Sequence, residues 1–191
     1  AVEAGKRSVL RRVCLCLGHY QRGQGKHAKA IVEYGLAGEI AVELGHRQAE
    51  AMAISGLGLS YMSLKQYDKA IELFEQALAI RETLGDMSSQ ASTRKELGRC
   101  LSRHGQHDKA VACLKQAYAV FLLLGDAVGQ MRRAAKYLGE ALWAQARAEH
   151  HEAAPDDTSC GSIPAASADT LQEAEMWLRM AHDQVVLWGD T

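Results

Sequence analysis

Proline is nearly absent from this 191-residue chain, which has only Pro155 and Pro164. A proline-free stretch from residue 1 to residue 154 favours an unbroken succession of helices. Long apolar runs are missing too. Val120 to Leu124 is among the longest, far short of the roughly 20 residues of a membrane span. No Cys-x-x-Cys pair occurs, and five cysteines at 14, 16, 100, 113 and 160 match neither a zinc cage nor a disulfide framework. The expectation is a reducing compartment with buried or indifferent thiols. An excess of one charge sign is lacking as well, since the net charge is −1, and nothing global points to nucleic acid. Asparagine does not occur at all, and there is no initiator Met, signal peptide or targeting motif. What is present, 48% hydrophobic and 24% charged residues, excludes disorder throughout.

An internal repeat organises the rest. Gly18, Gly58 and Gly98 stand 40 residues apart, each preceded by leucine (Leu17, Leu57, Leu97). Twelve residues on come Ala30, Ala70 and Ala110; then Tyr34, Phe74 and Leu114; then Ala37, Ala77 and Ala117. Leu44-Gly45, Leu84-Gly85 and Leu124-Gly125 close the units. A fourth copy opens at Leu138-Gly139 and resumes at Ala174, with Leu178, Ala181 and Trp188-Gly189-Asp190 at matching offsets. Both prolines fall in the interruption, about 149–168, which reads as a mobile insertion. The expected units are 6–45, 46–85, 86–125 and 126–190, one array over 1–191. Ala4-Gly5 sits 13 residues before Gly18, as Leu44-Gly45 sits before Gly58. That spacing predicts that the chain opens in the tail of an earlier unit of a larger array.

Each unit reads as two helices. The Leu-Gly pair lies in the first helix, where glycine admits a close neighbour, and the alanines do the same on the second. Asp68 and Asp108 are placed to cap second helices, and Gly85-Asp86 to end one unit and cap the next. No unit buries its apolar face alone, so the units stack into a solenoid.

Leu57-Gly58-x-x-Tyr61 with Ala70, Phe74 and Ala77 resembles the tetratricopeptide repeat. The 40-residue period with a closing Leu-Gly-Asp is similar to the long-repeat subclass that includes kinesin light chains and Pins-type spindle adaptors. The resemblance covers about residues 6–190. It implies an all-α, right-handed superhelical array, and leaves function open because such repeats serve many roles.

Catalytic and metal signals are weak. The glycine-rich run Gly18 to Gly25 lacks the Lys-Ser/Thr of a phosphate loop and follows no strand. Cys14 and Cys16, two apart on a helix, cannot share a metal and read as core cysteines. His150, His151, Asp156, Asp157 and Cys160 cluster on the expected loop without a rigid frame. No enzyme activity, cofactor or metal is expected.

Charge sorted by helix is informative. The first helices carry +5, 0, +3 and +3, together +11, and the second helices −2, −2, +1 and −3, together −6. The resemblance implies that first helices line a concave groove, making the inner surface basic. It places Arg12, His19 and Arg22 in that groove, then Met52, Leu59 and Met62 as an apolar floor. Lys95, Arg99 and Arg103 follow as an exposed basic stripe, with Arg133, Lys136 and Trp143 beside it. Spindle adaptors carry an asparagine ladder around the Leu-Gly pair, and the carboxylate clamp of chaperone-tail binders needs two asparagines. A chain without asparagine has neither, although Lys95 and Arg99 can still hold carboxylates.

The function expected is a protein-interaction scaffold that binds an acidic partner segment with apolar anchors, without nucleic acid or membrane. A cytoplasmic setting, linked to cytoskeleton or cilium, is the expected location. Two other roles fit the same residues: a structural subunit of a large cytoskeletal or ciliary complex that uses its convex face and ends, and the regulatory array of a larger enzyme.

Overall fold

The computed structural model describes residues 2–125, 128–153 and 165–186, with the backbone alone at 150–153, 165–167 and 183–186. Among them are eight helices: α1 (Val2–Gly23), α2 (His27–Glu43), α3 (Arg47–Ser63), α4 (Tyr67–Thr83), α5 (Met87–Arg103), α6 (His107–Leu124), α7 (Val128–Ala153) and α8 (Ala165–Val186). They pack as consecutive pairs, and each pair's second helix lies against the next pair's first. The architecture is an all-α repeat solenoid in which each helix touches only near neighbours in sequence.

The repeated glycines sit where the two helices of a pair meet. A Cβ on Gly18 would lie 2.7 Å from the Tyr34 ring, on Gly58 2.9 Å from Phe74, and on Gly98 or Gly139 2.6 Å from Leu114 or Leu178. The large residue of each second helix thus fills the hole left by the missing side chain. Tyr34 is wedged on both sides, because Gly56 of the next unit faces the same ring. Ala30, Ala70, Ala110 and Ala174 are wholly buried, as are Ala37, Ala77 and Ala117.

Turn chemistry sets the boundaries. Gly45 and Gly85 adopt φ +65° and +68°, and the next amide reaches back to close the helix: His46 N donates to Ala41 O at 2.8 Å. Gly25 and Gly105 do the same between the helices of a pair, but the matching residue in the second unit is Lys65, held at φ 60°. Asp86 caps α5 by accepting from Ser89 N at 3.0 Å, and hydrogen bonding from the Ser89 side chain and then its backbone holds the Asp86 carboxyl below the usual range. The other capping expectation fails. Gln66 and Gln106 hold the N-cap positions without a side-chain bond, and Asp68 and Asp108 lie in the first turn. There Asp68 pairs with His104 at 3.1 Å, and Asp108 accepts from Gln145 at 2.9 Å.

Two further expectations are corrected. Gly5 lies inside α1 without a left-handed φ, so it does not form the turn that its spacing from Gly18 predicts. Cys16 is exposed whereas Cys14 is buried, since residues two apart face different sides of the helix. At the interruption α7 continues to Ala153 and α8 begins at Ala165, so helix enters the expected insertion from both ends. Residues 154–164 and the closing Trp188-Gly189-Asp190 lie outside the described residues.

The junction between α4 and α5 is polar. The buried Arg81 guanidinium donates to Thr93 Oγ1 and, at 3.1 Å, to Ser89 O. Gln90 Nε2 donates back to Arg81 O at 3.1 Å, and Arg94 pairs with Glu82 at 2.8 Å.

Candidate partner-binding surface

First helices touch one another in succession, α1 to α3, α3 to α5 and α5 to α7, whereas no second helix touches another among the described residues. Elements that approach more closely lie on the inside of a curve, so the first helices line the concave face. Their side chains three, four and seven positions apart share that face.

On α1, Arg12 and His19 are exposed and Arg22 is half-buried. His19 Nδ1 hydrogen-bonds with the Tyr34 hydroxyl at 3.1 Å, and the two rings meet edge to face. Burial lowers the His19 pKa, and the nearby Arg22 charge lowers it further, which disfavours the charged imidazole there. On α3, Met52 is exposed and lines a cavity of about 480 Å³ with Arg11, His46 and Leu84. Leu59 is half-buried.

Met62 is not on the floor. It is 2% exposed and packs with Phe74, Leu97, Cys100 and Leu101, because α5 closes over that side of α3. Lys95 is also not on an exposed stripe. It is 3% exposed, and its amine donates to Gln130 Oε1 at 2.6 Å and pairs with Glu96 at 3.1 Å. Here α7 covers the lysine as α5 covers Met62. Arg99 is half-buried and engaged twice: it pairs with Glu96 at 2.8 Å and donates to the Tyr137 hydroxyl at 3.1 Å. Its guanidinium lies 5.3 Å from the Tyr137 ring centre. Arg103 remains exposed.

The last pair presents the open basic surface. Arg133, Lys136 and Trp143 are all exposed on α7. Arg133 and Lys136 line a cavity of about 520 Å³ with Arg132, Tyr137, Leu178, Ala181 and His182. Lys136 is 3.7 Å from Glu140, while Arg103, Arg132 and Arg133 have no ion pair among the described residues. Arg132 and Tyr137 are the residues that sequence reasoning missed. A signal existed for Arg132, because the matching positions of the internal first helices are the buried Ala51 and Ala91.

The remaining polar features are structural. Burial raises the Cys100 thiol to about 11, and Lys115 at 2.7 Å lowers the Glu173 carboxyl. No group of three metal-capable residues occurs among the described residues. The side chains of His150, His151, Asp156, Asp157 and Cys160 lie outside them. Among the described residues no helix is long and apolar enough to cross a membrane.

Comparison with known proteins agrees with this geometry. BtubC from P. vanneervenii superposes with a TM-score of 0.74 at 19% identity, over 97% of this chain and 66% of that one. The chain therefore spans just under two thirds of that protein. A putative kinesin light chain from P. anserina with nearly identical TPR-like repeats gives 0.62 at 19% identity, over 94% and 96% of the two chains. Aspartyl phosphate phosphatase F from Bacillus subtilis gives 0.67 at 16% identity, over 92% of this chain and 44% of that one. At such identities the likeness concerns fold alone. No curated protein matches the sequence. The tetratricopeptide-repeat profile matches residues 12–83 and 49–122, more than half of the chain. With its glycine-and-alanine register packed as described, the chain belongs to the tetratricopeptide-repeat family.

Proposed function

We propose that the protein is a non-catalytic interaction scaffold that holds an acidic segment of a partner protein, with apolar anchors, along the inner face of its first helices. The observation that carries this reading is a set of cations near the last pair that form no ion pair among the described residues: Arg103 and Arg133, with Arg132 in the neighbouring row and Lys136 only weakly engaged. Unpaired like charges around a cavity repel until an anion neutralises them. Arg132, Arg133 and Lys136 steer the acidic segment in, and the exposed Trp143 supplies an apolar anchor point there. Met52 and its cavity offer a second anchor point on α3. Arg12 and Arg22 extend the basic surface toward the other end, with His19 between them as a polar, hydrogen-bonded contact. A cytoplasmic, cytoskeleton-linked setting belongs to the same proposal, supported by a fold shared with kinesin light chain repeats.

The test uses Arg133→Glu with Lys136→Glu, titrated with a fluorescent acidic peptide carrying leucine and phenylalanine anchors. Binding is expected to weaken at least about tenfold, or 1.4 kcal/mol. The loss should fall mainly on the association rate and shrink as salt rises. Thermal unfolding should not move, because both side chains are exposed. Equal binding by parent and double variant, or a parent that does not bind, overturns the reading.

A further inference from the structure

Among the described residues, α1 carries an apolar stripe that no other helix covers. Val9, Val13, Cys16, Leu17 and Tyr20 line a shallow cavity of about 520 Å³ along it, with Arg12 at its edge. Val9 is 59% exposed and Tyr20 64%. The spacing is that of one helix face, and the stripe extends about 16 Å.

The repeat register shows what covers this face elsewhere. Val13 corresponds to Ala53, Thr93 and Ala134, and Tyr20 to Ser60, Cys100 and Ala141. All six are essentially inaccessible, pressed beneath the second helix of the preceding unit. The face is therefore helix-binding geometry wherever the fold repeats it. The residues on α1 differ in size, however. Valine is larger than the alanines of α3 and α7 though equal in size to the threonine of α5, and tyrosine is far larger than serine, cysteine or alanine, so a helix seated at the internal spacing would collide chiefly with Tyr20. The stripe suits a helix that stands further off than a neighbouring repeat does.

Charge narrows the occupant. Residues 6–23 carry +5 with no acid among them, and among the described residues Arg7 alone of these cations forms an ion pair, with Glu43. Two copies meeting through α1 would place +5 against +5. The second helices that cover the same face on α3 and α5, namely α2 and α4, are each −2. We infer that the α1 stripe is a docking site, separate from the concave groove, for an amphipathic helix of another protein. That helix has an apolar face about three turns long and acidic flanks. It seats on Val9, Val13, Leu17 and Tyr20, with its acids opposite Lys6 and Arg12.

Cys16 lies at the centre of the stripe and serves as a reporter, because Cys14 and Cys100 are buried. The probe is a synthetic amphipathic helix of about 16 residues, with leucines on one face and glutamates on its flanks. It is titrated against the intact protein, with a scrambled peptide as control. A Cys16→Ser variant identifies the Cys16 share of thiol labelling. Expected are saturable binding and labelling of Cys16 slowed at least about fivefold. Val13→Glu with Tyr20→Glu should weaken binding at least about tenfold with unchanged thermal unfolding. Four results overturn the inference. The first is absence of Cys16 protection, or equal protection by the scrambled peptide. The second is self-association abolished by the double variant, which makes the occupant a second copy. The third is a Cys16 already shielded in the isolated, monomeric protein, which makes the occupant the protein's own chain. The fourth is binding to anionic vesicles that the double variant loses, which makes the occupant a lipid surface.

Discussion

The internal first helices α3 and α5 and the outer ones α1 and α7 share one register but put it to different uses. Four residues after the repeated glycine, α3 buries Met62, while α7 exposes Trp143. Three residues before that glycine, α5 buries Lys95, while α7 exposes Lys136. A position in such an array becomes core or surface according to whether the next first helix packs beside it. Exposed cations and apolar side chains therefore collect on α1 and α7, where the described neighbours are fewer.

The sharpest way to break this comparison is to reverse the charge at both members of a matched pair. Lys95→Glu places a carboxylate beside Glu96 in a site closed to water and removes the donor to Gln130. It should destabilise by about 3 kcal/mol or more, whereas Lys136→Glu should stay within about 0.5 kcal/mol. Urea titration of the two variants checks the difference, and equal midpoints would erase the distinction between inner and outer helices.

The next effect lies inside one helix. Ala110→Leu overpacks the closest point of α5 and α6, where a Cβ on Gly98 would already lie 3.1 Å from Ala110 O. It should cost about 1–3 kcal/mol, whereas Ala112→Leu on the exposed side of α6 should change stability by less than about 0.5 kcal/mol. Thermal melts of both variants test the register directly.

The smallest effect contrasts equivalent turns. Gly25 and Gly105 hold the left-handed position without strain, and Lys65 holds it at φ 60° against its side chain. Lys65→Gly should raise stability by up to about 1 kcal/mol, the relief of strain exceeding the entropy that glycine adds to the unfolded chain. Denaturant midpoints measure it, and a loss of stability would mean that the lysine side chain contributes more than its backbone costs.

Much of this was legible in the sequence because it repeats. The Leu-Gly pairs, the alanines twelve residues on and the bulky residue after them locate the contact within each helix pair, since close packing demands small residues at fixed intervals. The fate of the charged residues was less legible. Nothing in Lys95, Arg99 and Arg103 distinguishes the buried lysine from the exposed arginine until α7 is laid beside them. The capping error at Asp68 and Asp108 has a similar origin. Their spacing from the turn fits a cap, but the turn closes two residues earlier, at Gln66 and Gln106. Arg132 was overlooked because the groove positions implied by the resemblance skip its row, which internal helices fill with alanine.

The α4–α5 junction gives the molecule a distinctive mechanics. Apolar contacts such as Ala53 against Tyr34 and Ala37 have no preferred direction, so neighbouring helices can slide slightly on one another as a spring yields. The bonds from Arg81 to Ser89 and Thr93, and from Gln90 back to Arg81, are directional, and a few degrees of rotation would strand a buried guanidinium. A rotation of α5 against α4 large enough to break these bonds therefore carries a desolvation cost that the same rotation between α2 and α3 does not.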